Sequence, residues 1–121
     1  MPLHPALTPG RVAVITGAAS GIGLAAAKRF AQLGMTVCLA DLSEAALNAA
    51  AEQVAAETTQ GRQAVLTVPT DVSRIDDVTR LKDTAYQRFG EVAVLMNNAG
   101  TAPGGGPWEN IDAWRRVLDV N

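Results

Sequence analysis

Four short apolar runs recur along the chain, and a stretch with helical spacing follows each of them. Arg11 to Thr16, "RVAVIT", stops at Gly17, after which "IGLAAAKRFAQLG" repeats Ile22, Ala26, Phe30 and Leu33 at helical intervals before Gly34. Met35 to Ala40, "MTVCLA", closes at Asp41, and Ser43 is placed to cap an alanine-rich helix with Leu47, Ala50 and Val54 on one stripe. "RQAVLTVPT" predicts a third strand before Asp71, with Ser73 capping a helix that carries Ile75, Val78, Leu81, Ala85 and Phe89 to a stop at Gly90. "EVAVLMN" predicts a fourth strand. A glycine- and proline-rich loop, Thr101 to Trp108, is expected to be mobile, and a last helix starts near Asn110 and carries Trp114, Val117 and Leu118 up to Asn121.

Strands alternating with helices predict parallel βαβ units, and runs as apolar as "VAVLM" predict strands buried on both faces. With right-handed crossovers the fold class is α/β: a Rossmann-type doubly wound parallel sheet of about four strands in the order 3-2-1-4, with helices on both faces. The sheet reads as incomplete, because so apolar a fourth strand would form an exposed edge. Residues 1–10, with three prolines, read as a flexible tail rather than a signal or transit peptide, and His4 in it as a solvated side chain. Residues 11–121 form one unit.

Composition excludes several kinds of partner. The formal net charge is −2, and the ten Lys and Arg are scattered, so nucleic acid is not expected. No apolar stretch approaches the roughly 20 residues that span a bilayer, so no membrane association is expected. Cys38 is the one cysteine and lies in a strand run, which fits a buried structural thiol in a reducing, cytoplasmic setting. No metal site is assigned.

In open α/β sheets ligands bind beyond the carboxyl ends of the strands, and the unusual clusters Thr16-Gly17, Asp41, Asp71 and Asn97 to Gly100 all fall at such ends. The glycines of "TGAASGIG" are spaced G-x-x-x-G-x-G. Gly17 permits a tight turn, Gly21 lets a diphosphate approach the backbone, and Gly23 lets the helix pack closely on the sheet, with Ala19, Ser20 and Ile22 completing the loop. An ordinary glycine-rich turn remains the other reading of this spacing. Asp41 follows Gly23 by 18 residues and is placed to accept both ribose hydroxyls of an adenosine. A carboxylate there repels a 2′-phosphate, and Ser20 and Leu42 supply no cation, which favours NAD over NADP. For Asp71 a helix cap and an adenine contact are both open, as are turn chemistry and cofactor lining for Asn97 and Asn98. Lys82 and Tyr86 stand one helical turn apart but are not assigned a catalytic role.

With these residues assembled, the chain resembles the short-chain dehydrogenase/reductase family, classical subgroup. "TGAASGIG" matches its T-G-x-x-x-G-x-G cofactor loop, Asp41 its NAD-selecting acid, Asp71 and Val72 its adenine-contact pair, and "NNAG", with Asn98, Ala99 and Gly100, its motif after the fourth strand. "VLDVN" resembles the segment holding the family's active-site asparagine, which places that role on Asn121. The resemblance covers nearly all of the chain after the tail but only the N-terminal half of a typical member. It implies an NAD-dependent oxidoreductase acting on a small-molecule alcohol or carbonyl substrate by hydride transfer, and a homo-oligomeric parent. The family's downstream serine and Tyr-x-x-x-Lys are absent here, so the chain alone is expected to be inactive. The alternative is a non-catalytic nucleotide-binding or interaction module.

Overall fold

The computed structural model describes residues 2–101 and 111–121. Its elements are β1 (Val12–Thr16), α1 (Gly21–Gln32), β2 (Thr36–Asp41), α2 (Glu44–Ala55), β3 (Val65–Pro69), α3 (Ile75–Phe89), β4 (Val94–Met96) and α4 (Ile111–Val120). The strands form one parallel sheet in the order β3-β2-β1-β4, as the alternation predicts. Register places Thr16 beside Ala40, Ile15 beside Met96 and Asp41 beside Pro69, so the carboxyl ends of all four strands share one edge.

Strand alternation sorts the core into two layers. Ala13, Ile15, Val37, Leu39 and Val65 face one way and pack with Ala27 and Ala31 of α1 and Leu47, Ala50 and Val54 of α2. Val14, Cys38, Ala40 and Val68 face the other way and meet Leu81 and Ala85 of α3. Helices therefore cover both faces, and each fully buried Leu or Val contributes about 1.5–3 kcal/mol. Cys38 lies wholly inside, and burial pushes its thiol up to about 12.

Several expectations are corrected. α1 turns Gly23, Ala27 and Ala31 inward rather than Ile22 and Ala26, and Ile22 is 74% exposed. Close approach of helix to sheet admits only the small residues. In α3, Ile75 and Val78 are exposed, leaving Leu81 and Ala85 as its buried contacts. Arg62 to Ala64 belong to a single 3₁₀ turn, so the third strand starts only at Val65. Ser73 does not cap α3. The cap position falls to Arg74, and Ser73 donates instead to Asp71.

β4 is three residues long and Leu95 is 57% exposed, so burial on both faces does not extend to this edge strand. The opening residues make specific contacts in the structure. His4 Nδ1 accepts from the N–H of Ala6 at the start of a 3₁₀ turn, Pro5–Leu7, and Leu7 packs on the core. The Gly10 N–H donates to Gly34 O at 3.0 Å, and Arg11 pairs with Glu91 through both carboxylate oxygens. The loop expected to be mobile lies, beyond Thr101, outside the described residues, as does the cap at Asn110. No helix among the described residues is long and apolar enough to cross a membrane.

Candidate functional site

The turn from β1 to α1 is held by the segment that follows the neighbouring strand, β4. Thr16 Oγ1 accepts the N–H groups of Asn98 and Ala99, both at 3.0 Å, and Asn98 Nδ2 donates to Thr16 O at 3.2 Å and Gly17 O at 3.3 Å. Asn98 thus does the turn chemistry that its type suggests, across more than 80 residues rather than locally.

The three glycines divide by cause. A Cβ on Gly23 would stand 2.3 Å from Gly17 O, and one on Gly17 would stand 2.9 Å from Ala99 Cα, so both are demanded by the fold itself. Gly21 differs: its φ is +57°, and the space where its Cβ would stand is open. Beside it Ser20 occupies the N-cap of α1 without making a side-chain cap hydrogen bond. The first-turn N–H groups and the positive end of α1 are therefore presented at an open backbone surface, a combination suited to an anion.

Asp41 stands at the end of β2. Its Oδ1 accepts from the N–H of Leu42 at 2.8 Å and its Oδ2 from that of Ala19 at 3.0 Å. Each oxygen retains a further lone pair, so the carboxylate is oriented but not used up. At the end of β3, Asp71 Oδ1 accepts from both Ser73 Oγ at 2.6 Å and Ser73 N at 3.0 Å. These bonds hold the Asp71 carboxyl below its ordinary value, and the positive charges of Arg116 and Arg74 add to the effect.

Gly17, Ser20, Asp41, Leu42, Asp71, Val72, Asn98, Ala99 and Gly100 line a cleft of about 280 Å³ along this edge, together with Thr70, Thr101, Arg116 and Val120. Ala19, Gly21, Ile22 and Gly23 do not line it. Asn121 sits at the end of α4, where its Oδ1 accepts from Thr101 N at 2.7 Å and its Nδ2 donates to Thr101 O at 3.1 Å. It lines a second, more apolar hollow of about 620 Å³ between α3 and the face of β1 and β4 turned toward it, with Asn97, Leu95, Leu81, Lys82 and Tyr86. Lys82 pairs with Asp83 at 3.3 Å.

Arg116 was not singled out from the sequence. It precedes Val120 by one helical turn, and that spacing, which puts both on one face of α4, is the signal that marks it.

The donor and acceptor set fits a dinucleotide: an open glycine at an uncapped helix N-terminus for a diphosphate, an oriented carboxylate for a ribose, and Asp71 with Val72 at the far end for a base. A family model described as "short chain dehydrogenase" matches residues 11–121. A 1-deoxy-11-beta-hydroxypentalenate dehydrogenase of Streptomyces arenae is 44% identical over 114 residues, covering 92% of this chain and 39% of the relative. Among solved structures, a short chain dehydrogenase/reductase of Burkholderia phymatum in complex with NAD matches with TM-score 0.83 and 43% identity, over 93% of this chain and 39% of that one. The NADP-bound C-domain of a bacterial malonyl-CoA reductase matches with TM-score 0.82 and 31% identity, over 95% of this chain and 19% of that one. The chain thus spans about two fifths of the length of the curated relatives it matches.

Proposed function

The chain belongs to the short chain dehydrogenase family, and on that premise we propose that it is the NAD(H)-binding portion of an oxidoreductase that acts on an alcohol or carbonyl substrate. The observation that carries the reading is the oriented carboxylate of Asp41 beside an open glycine at an uncapped helix end. When bound, the nicotinamide supplies the hydride acceptor or donor. The backbone N–H groups at Ser20 to Gly23 and the dipole of α1 hold the diphosphate, and the free lone pairs of Asp41 take the ribose hydroxyls. A 2′-phosphate would meet that carboxylate, which supports NAD over NADP.

Asn121 keeps Thr101 in register with the Asn98 to Gly100 segment, and in this reading it also carries the family's active-site asparagine role. Tyr86 is the one tyrosine and stands in Tyr-Gln-Arg-Phe-Gly, so these 121 residues contain no Tyr-x-x-x-Lys to move a proton. We therefore take the chain alone to bind nucleotide without turnover, its activity and homo-oligomeric assembly being properties of a longer parent.

The test is a fluorescence titration with NADH and NADPH, with Asp41→Ala alongside. Saturable binding that favours NADH and weakens in the variant upholds the reading. Equal affinity for both nucleotides overturns the NAD assignment, and no binding by the folded chain overturns the nucleotide site.

A further inference from the structure

We propose that Arg116 is a binding residue for the adenosine half of the dinucleotide, its guanidinium covering the face of the base at the Asp71 end of the cleft. This rests on the dinucleotide reading above. Arg116 and Asp71 line not only the cleft but also an adjoining hollow of about 230 Å³, which Gly17 and Ser20 do not reach. Arg116 therefore stands at the end remote from the glycine loop, where the base and not the diphosphate would lie. Its neighbour Arg115 pairs with Asp112 at 3.9 Å, whereas Arg116 has no ion pair among the described residues.

Among the described residues the cleft is lined by two carboxylates, Asp41 and Asp71, and by Arg116 as the one cation. A planar, weakly hydrated guanidinium stacks on an aromatic face, which an ammonium does not do as well. Val72 and Val120 give the same end of the cleft an aliphatic surface for a purine.

The experiment is NADH and NADPH titration, with AMP as displacing ligand, on the 121-residue wild type, Arg116→Gln and Arg116→Lys. Arg116→Gln is expected to weaken NADH, NADPH and AMP alike by about 3- to 30-fold. The ligand-free melting temperature should stay unchanged, because the side chain is exposed. Arg116→Lys should recover only part of the loss. Unchanged NADH and AMP affinity in Arg116→Gln overturns the proposal while leaving the dinucleotide site standing. A loss confined to NADPH overturns it in favour of a 2′-phosphate contact, and full recovery by lysine overturns the stacking role. Failure of the folded wild type to bind any of the three nucleotides overturns both this proposal and the reading beneath it.

Discussion

The carboxylate of Asp41 accepts a hydrogen bond from the backbone N–H of Ala19 at 3.0 Å, joining the end of the second strand to the middle of the glycine loop. Asp41 therefore shapes the glycine loop, and in the proposed reading it also faces the ribose. Asp41→Asn keeps the size and loses the charge. NADH affinity is expected to fall by about 10- to 100-fold, the cost of a hydrogen bond to a charged group, and NADPH affinity by less. Parallel titrations of the two nucleotides check the ratio.

Glycines 21 and 23 should fail in different ways. Gly23→Ala forces a methyl onto Gly17 O, backbone that has no room to yield, and a loss of about 3 kcal/mol or more is expected in urea unfolding. Gly21→Ala meets open space and costs only the left-handed backbone, about 1–2 kcal/mol. Its larger effect is expected in the NADH titration.

Asn98→Ala removes the donor shared by Thr16 O and Gly17 O and leaves those carbonyls without it. A destabilisation of about 1–3 kcal/mol follows. Weaker NADH binding should accompany it, since the turn loses its clamp. Denaturation and titration of the same preparation measure both.

Cys38 makes stability depend on alkaline pH. Its folded-state value is raised from 9.0 to about 12, so its contribution is fully present below pH 9.0 and is lost as pH rises from there through about 12. Cys38→Ala is less stable at neutral pH because a buried side chain is trimmed, but it lacks that part of the alkaline decline. Urea midpoints of both proteins on either side of pH 9.0 isolate the difference.

The order of strands and helices was legible because each strand is a short apolar run punctuated by glycine, aspartate or proline. The inner face of α1 was not. Its contact residues are glycine and alanine, which carry little hydrophobic signal, while the strongly apolar Ile22 lies outside. Ser73 looked like a cap because a serine before a helix usually is one, but Asp71 engages it first. That Gly17, Asp41, Asp71 and Asn98 come together at one edge of the sheet was legible from residue type and position alone. Arg116 was hidden because an arginine on an amphipathic helix looks like any solvated charge, and only the placement of α4 brings it to the cleft.

The hydroxyl of Thr16 waits for partners made 82 and 83 residues later. At about 5–20 residues per second, a growing chain carries its glycine loop for roughly 4–16 seconds before Asn98 and Ala99 exist to close it. In the proposed reading, competence to capture a nucleotide cannot precede synthesis of the segment after the fourth strand, although the glycines that mark the site are made far earlier.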